Sequence, residues 1–415
     1  MYPDQLCNLI VYCDMKFSLI LAVALATTRT VKANQLGCVD PDNVDYTVDL
    51  FPHKVKNNWS ANWNIEYFNT YKILKNTATG FSWLLYQCGT TLPASEVGNH
   101  QGTFKVPLQA GIATSSTTDL THIEQLGLRR QLKGHVGGTQ YIGSPCLKTM
   151  AEEGIIDDIN GAYFSTGISR ADFEAKHETD DGEQVAFIQG SGAESNTIHF
   201  SGSMEAESKD IYEWHKVFGA LFNLEEFANE QFNESVDRYD CAADNADFLA
   251  EQRRDRRLAF ENAMTTPVRK KSDVQRKLAA KPKILWASHT KYGYNETIGS
   301  YNLPAWDIGD CSTVNNYYCE FAAECQADIL HSNTGSIAAN GAGTSFHLNL
   351  TEFIEFAKDA DMWIYPAPNF DATYDEFPEL QQLKSVQNGQ VYDNQKTSST
   401  WFEHRVAEYG MLITL

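Results

Sequence analysis

Along residues 44–87 polar and apolar positions alternate and aromatic residues recur, as in Trp63-Asn-Ile65-Glu-Tyr67 and Tyr71-Lys-Ile73-Leu74, with a second run at 81–86. A two-residue period puts one face of a strand on a core, so this segment predicts a β-hairpin or small sheet. From 103 the texture changes. Residues 104–113 read as a mostly apolar strand, 114–118 as a run of small hydroxyl residues, and 119–126 as a helix with apolar residues one turn apart. Strand, polar turn and helix make the βα unit. A second unit is expected to follow, with a strand at Tyr141-Ile142 after the Gly137-Gly138 turn and a helix running from Ser144-Pro145 through Met150. A third strand at 185–188 ends in Gly190-Ser191-Gly192.

Residues 205–281 hold few strand formers, and Ile211, Trp214, Val217, Phe218, Leu221 and Phe222 fall at helical spacing. The pattern predicts two helices broken near 241–245, with a charged segment at 251–283 leading into a strand at 283–287. Beyond it are read a polar aromatic loop at 288–302, a helical segment at 317–329, a loop at 331–344 and a helix at 350–360. A strand at 362–365, a helix at 380–385, a strand at 390–392 and a terminal stretch at 401–415 close the chain. No internal repeat has a fixed period. The architecture expected is α/β, with two α/β lobes joined by a long helix.

A short apolar stretch at 17–26 follows Met15-Lys16 and precedes the polar 27–32. A membrane span needs about 20 apolar residues. A basic start, a core of about ten apolar residues and a small-residue site such as Val31-Lys32-Ala33 are what a secretory signal presents. Residues 1–33 are therefore read as a signal peptide, with Met15 as a possible true start. The domain boundaries expected are 34–100 for a β-hairpin extension, 101–204 for the first lobe, 205–282 for a linker helix with an insertion, and 283–415 for the second lobe.

The 415 residues are 42% hydrophobic, 12% aromatic and 21% charged, with 27 Gly spread without a period. That composition excludes collagen-like, low-complexity and largely disordered chains. Lys and Arg number 33 against 54 Asp and Glu, a net charge of −21. Without 1–33 the balance is 30 against 52, or −22. Nucleic-acid binding needs a basic face, and the runs at 253–257 and 269–283 are broken by acids and helix formers. No nucleic-acid partner is expected.

Seven cysteines follow the signal: Cys38, Cys88, Cys146, Cys241, Cys311, Cys319 and Cys325. In an exported chain they read as disulfide partners, the cluster Cys311, Cys319, Cys325 above all, with an odd thiol left over. No C-x-x-C and no His pair at ligand spacing supports zinc, and Asp40, Asp42 and Asp45 lack the glycine a calcium loop needs. No metal site and no cofactor is expected. N-x-S/T sequences at Asn58, Asn233, Asn295 and Asn349 fit a glycosylated protein of the secretory route. G-x-S-x-G, H-E-x-x-H, G-x-x-x-x-G-K-[ST] and a complete G-x-G-x-x-G are all missing. No catalytic residue is assigned.

The order of motifs carries a resemblance. Phe104-Lys-Val-Pro-Leu-Gln-Ala-Gly-Ile-Ala-Thr-Ser-Ser-Thr-Thr-Asp-Leu, Ile123-Glu-Gln-Leu-Gly and Tyr141-Ile-Gly-Ser-Pro resemble the first lobe of the helical-backbone class of periplasmic substrate-binding proteins. These proteins serve ABC importers of ferric siderophores, haem and cobalamin. Glu213-Trp214 through Phe218-Gly219-Ala220-Leu221-Phe222 is similar to the start of their linker helix, and Lys281-Pro-Lys-Ile-Leu-Trp-Ala to the strand opening the second lobe. Ala357-Lys-Asp-Ala-Asp-Met-Trp-Ile and Val386-Gln-Asn-Gly-Gln-Val-Tyr look like later elements of that lobe, so the likeness covers roughly residues 46–411. Three departures stand out. Gln35-Leu-Gly-Cys38 does not match a lipoprotein site, 241–280 is longer than a linker helix needs, and Gly410-Met-Leu-Ile-Thr-Leu stops where the family continues, so the second lobe is expected to be incomplete at its end.

The resemblance implies a ligand cleft between the lobes, on loops at the strand ends, because strand C-termini in α/β sheets face the crevice. The ligand-binding candidates are Thr114, Ser115, Ser116, Tyr141 and Ser191 in the first lobe. In the second they are His289, Tyr292, Tyr294, Trp306, Asn333, Phe370 and Trp401. Tyr and Trp offer apolar area with a polar handle, which suits a large flat chelate. Glu152-Glu153 and Glu352 or Glu355 lie on helices where acidic contacts to a permease would fall. The function expected is a secreted or cell-surface solute-binding protein, periplasmic if bacterial, capturing a ferric siderophore, haem or corrinoid for uptake as a monomer. A membrane transporter or receptor is the implied partner. The alternatives are a secreted enzyme, or a ligand-free interaction protein, on the same scaffold.

Overall fold

The computed structural model describes residues 34, 36–161, 167–205, 207–263, 281–295, 300–312, 316–332, 345–367 and 369–393, with backbone alone for 249–250, 253–254, 256–263, 291–295 and 300–304. The expected signal at 1–33, residues 264–280 of the insertion and basic run, and the terminal stretch at 401–415 lie outside them. The chain divides into two compact units, one formed by 1–238 with 402–409 and one by 239–401 with 410–415.

In the first unit, β1 (Trp63–Tyr67), β2 (Tyr71–Asn76), β3 (Ser82–Gln87) and β4 (Gly102–Val106) form a sheet in that order. β1, β2 and β3 pair antiparallel, and β4 joins β3 in parallel. The alternating segment 44–87 thus supplies three strands of a small sheet, and the start of the run predicted as a strand at 104–113 supplies the fourth. The apolar run 104–113 is not one strand. Pro107, which has no N–H to give to a ladder, ends β4, and the chain crosses to β5 (Ile112–Thr114) in a different sheet.

That second sheet is parallel, with β6 (Leu132–Val136), β7 (Asp157–Ile159), β8 (Ala186–Gln189) and β9 (Thr197–His199) in the order β7-β6-β5-β8-β9. The expected strand at Tyr141-Ile142 is instead β6, which lies before the two glycines. Gly137 and Gly138 hold φ of +93° and +113°, a region closed to most side chains, so the extended run stops there. Tyr141 ends the short helical turn Thr139–Tyr141. Pro145–Glu152 is a helix with Ser144 as its N-cap.

The two sheets share one core. Trp63, Leu74, Trp83, Leu85, Phe104 and Val106 of the first pack with Ile112, Leu132 and Ile188 of the second and with Trp214, Val217, Phe218 and Leu221. Trp83 Nε1 donates to the Thr197 carbonyl at 2.7 Å and Asn76 Nδ2 to the His199 carbonyl at 3.0 Å. These bonds satisfy polar groups that burial would otherwise leave costly.

The helical stretch comprises Ser208–Glu213, His215–Leu221 and Glu225–Ala263. Its break falls at 222–224, where Asn223 takes φ +58°, and not at 241–245. Residues 225–263 hold no Gly or Pro, so nothing stops the last helix before Ala263.

In the second unit, β10 (Lys283–Asn295) and β11 (Ser300–Gly309) form a long antiparallel hairpin with register shifts around Gly293. The expected loop at 288–302 is therefore strand over most of its length. Its Thr and Tyr residues favour extended backbone, and its polar texture hid the pairing. β12 (Asp328–Ile329) and β14 (Met362–Tyr365) flank β10 in parallel, β15 (Val391–Asp393) continues from β14, and β13 (Ser345–Leu348) pairs with β11. The helix predicted at 317–329 ends at Glu324, and β12 takes its last residues. Leu285, Trp306, Phe346, Phe353, Trp363 and Tyr365 lead the core. The fold class is α/β. Disulfides join Cys38 to Cys88 and Cys311 to Cys319, whereas Cys325, expected in the bridged cluster, is free and exposed, as is Cys146. Among the described residues no helix is long and apolar enough to cross a membrane.

Candidate functional site

The first unit's parallel sheet has its first strand in the middle. From β5 the chain moves out to β6 and β7 on one side, then returns to β8 and β9 on the other. Connections leaving a central strand in opposite directions open a crevice at the strand C-termini, and ligands of α/β sheets bind there. The residues that follow β5, β6 and β8 are Ser115 and Ser116, Gly137 through Tyr141, and Gly190-Ser191-Gly192. Four predicted residues, Ser115, Ser116, Tyr141 and Ser191, thus rim one sheet end.

Ser115, Tyr141 and Ser191 are exposed. Ser115 N donates to the Ile188 carbonyl at 3.2 Å, which fixes the loop after β5 to β8. Ser116 is the N-cap of the helix Thr117–Gln125, its Oγ accepting from Thr118 N at 3.3 Å and lying 2.7 Å from Thr118 Oγ1. Thr114 lies below the rim, with 0% of its surface exposed and its Oγ1 3.0 Å from His135 Nδ1. Burial pushes the His135 imidazole down to about 4, so it is neutral near pH 7. Asp119, in the first turn of the same helix, is 2% exposed, and burial lifts its carboxyl well above the usual range. Among the described residues its Oδ1 has no hydrogen-bond partner.

The second unit's candidates are placed differently. Trp306 is 1% exposed, with its ring stacked on Phe353 at 3.9 Å. His289 sits against Trp306 at 5.3 Å and Phe377 at 4.8 Å, and its backbone N–H donates to Tyr365 Oη at 3.2 Å. Phe370 packs on Trp363 at 5.5 Å and Tyr365 at 5.2 Å. Trp306 thus lies in the aromatic core, and half-buried His289 and Phe370 pack against that core. Tyr292 and Tyr294 lie in β10 with their side chains outside the described residues, as do Asn333 and Trp401 altogether. Of the acidic candidates, Glu152 and Glu153 are exposed. Glu352 closes a capping box with Asn349, and Glu355 pairs with Lys358.

Two features escaped the sequence reading. His135 carries no motif, and only the parallel pairing of β5 with β6 sets it beside Thr114. Elsewhere in the first unit Ser82 Oγ lies 2.7 Å from His100 Nδ1, and His100 Nε2 lies 3.2 Å from Glu96 Oε2. Hydroxyl, imidazole and carboxylate in that succession form the contact chain of an activated serine, and no spacing rule predicts it. No group of three or more His, Cys, Asp and Glu able to hold a metal occurs among the described residues.

No family model matches the chain, and no curated protein matches it. Solved structures similar to it include the haem-binding protein HmuT, at 13% identity over 92% of this chain and 94% of that one, with a TM-score of 0.45. A periplasmic binding protein from Veillonella parvula is similar at 10% identity, over 73% of this chain and 90% of that one, with a TM-score of 0.42. The siderophore-binding protein BauB, solved with ferric iron and two molecules of acinetobactin, is similar at 14% identity over 74% and 89%, with a TM-score of 0.41.

Proposed function

We propose that the chain is a solute-binding protein that captures a metal chelate outside the cytoplasm and passes it to a membrane transporter or receptor. The observation that carries this reading is the rim of the first unit's parallel sheet, where exposed Ser115, Tyr141 and Ser191 follow three neighbouring strands at the switch point. Hydroxyl and phenol groups suit recognition of a ligand's polar edge, and the phenol ring adds apolar area for a flat one. The ligand class, a ferric siderophore, haem or corrinoid, is the one implied by the resemblance of the motifs from Phe104 to Tyr392. The reading includes no catalytic step. Thr114 and His135 form a hydroxyl–imidazole contact beneath the rim, but both are buried and cannot meet a substrate.

A thermal-shift series on the purified chain with ferric siderophores, haem, cobalamin and simple metal salts tests it. A ligand that binds only the folded form at 100 times its Kd stabilises by about 2.7 kcal/mol. One chelate class should raise Tm with concentration, and Tyr141→Ala should weaken that rise. No shift with any of them removes the reading.

A second reading, a secreted hydrolase, is favoured by the Ser82–His100–Glu96 chain of contacts. In it Glu96 accepts the Nε2 proton of His100, leaving Nδ1 to take the Ser82 proton. Hydrolysis of small esters that Ser82→Ala abolishes would support it. The same contacts also tie residues 96–100 to β3, and a chain without esterase activity leaves them that structural role.

A further inference from the structure

We propose that Asn58 and Asn233 are a pair of N-glycan acceptors set around one aromatic patch of the first unit. The two lie far apart in sequence and reach the patch by different routes. The backbone N–H groups of Asn58, Trp59 and Ser60 all donate to the Glu213 carboxylate, at 2.8, 2.9 and 2.8 Å. Glu213 is fully buried and accepts from Lys216 Nζ at 2.8 Å. Three successive N–H groups turned inward on a paired, buried charge hold this loop in one conformation and leave the Asn58 side chain outside, where it is exposed. Asn233 lies on the exposed side of the helix Glu225–Ala263, next to the buried Phe232. Neither side-chain amide is engaged in a hydrogen bond among the described residues.

Their neighbours meet. The rings of Trp59 and Phe232 are 5.4 Å apart, and the Lys216 ammonium sits 4.0 Å from the Phe232 ring and 5.9 Å from that of Trp59. Trp59 remains 42% exposed. Asn58 and Asn233 are each next in the chain to one ring of this pair, and a sugar carried there would cover the exposed indole, since the C–H face of a pyranose covers an aromatic face as another apolar group would. The other two N-x-S/T sequences are placed differently. Asn349 Oδ1 accepts from Glu352 N at 3.0 Å as a helix cap, and the Asn295 side chain lies outside the described residues.

The transfer joins the Asn Nδ2 to C1 of the first sugar of an oligosaccharide carried on a polyisoprenyl diphosphate. The C1–O bond breaks, the diphosphate leaves with its electron pair, and the amide gives up one proton. The proposal rests on entry into the secretory route. The full chain should be expressed in a eukaryotic secretory host, and the exported protein treated with peptide N-glycosidase in ¹⁸O water and mapped by mass spectrometry. Both Asn58 and Asn233 should be recovered as ¹⁸O-labelled Asp, and Asn58→Gln and Asn233→Gln should each lose one glycan's mass. Hydroxyl-radical oxidation at Trp59 should rise once the sugars are removed. An exported chain with either Asn unmodified, or with Trp59 labelling unchanged by sugar removal, overturns the proposal. A chain kept in the cytosol overturns the export reading and the proposal with it.

Discussion

Lys72 lies in β2 with none of its surface exposed, and Glu225, the first residue of the helix Glu225–Ala263, is equally buried. The Lys72 ammonium donates to Glu225 Oε1 at 2.5 Å, to the Ala220 carbonyl at 2.5 Å and to Asn223 Oδ1 at 2.9 Å, over the face of Phe51 at 4.6 Å. Asn34 Nδ2 donates to the other carboxylate oxygen at 2.7 Å. Burial lowers the lysine's proton affinity and the carboxylate partly restores it, so the pair holds its charges only together. Lys72→Met keeps the stem but strands the Glu225 charge and leaves Ala220 O and Asn223 Oδ1 without their donor. Breaking a buried pair from one side costs about 3–5 kcal/mol, a large part of the 5–15 kcal/mol typical of a domain. With a slope of roughly 2–3 kcal/mol per M of urea, the first unit's midpoint should fall by about 1–2.5 M. Hydrogen exchange in peptides covering 71–76 and 225–238 reports that unit separately from the other. Lys72→Met with Glu225→Gln removes both charges and should recover at least half of the loss. A single variant within about 0.3 M of the parent, or a double variant no better than the single, would refute the account.

Acid should destabilise the first unit through its buried imidazoles. Burial holds His135 and His215 down to about 4 and His122 well below the usual range, with His215 also facing Lys216. Between about 6.5 and 4 the unfolded chain binds the protons that the native one refuses, so stability is full above that window and falls as pH drops, by up to about 3 kcal/mol for each of His135 and His215. Urea midpoints from pH 7.5 to 4.5 check this, and a flat profile would contradict it. Trp306→Ala should cost about 3–5 kcal/mol in the second unit's unfolding, whereas Tyr141→Ala should change stability by less than about 0.5 kcal/mol and act on ligand affinity alone. Equal stability losses in the two would show that the core and rim assignments are wrong. Gly138→Ala, at φ +113° with its new Cβ 2.5 Å from Gln140 Nε2, should lower the first unit's Tm, since a strained backbone position costs about 1–3 kcal/mol.

Elements whose signal is local were legible in the chain. The alternation of 63–76, the helix opened by Ser144-Pro145, and the strand 362–365 stand where the pattern put them, because side-chain period and capping act over one to four residues. Ser115 and Ser116 fall just past a strand, where the small-hydroxyl run after an apolar strand put them, whereas Tyr141, read as part of a strand, lies beyond the end of one. Pairing was not legible. A polar, aromatic 288–302 looks like a loop until β11 lies beside it, and 104–113 looks like one strand until Pro107 sends its halves to two sheets. Trp306 read as a ligand contact because an aromatic residue carries no mark of which side of a strand meets the core. Lys72 and Glu225, 153 residues apart, and His135 beneath Thr114, have no spacing that joins them. Residue types and short-range periodicity set which elements form. Which buried group meets which partner is decided only when strands distant in sequence come into register, since burial is a property of the folded chain and not of any window along it.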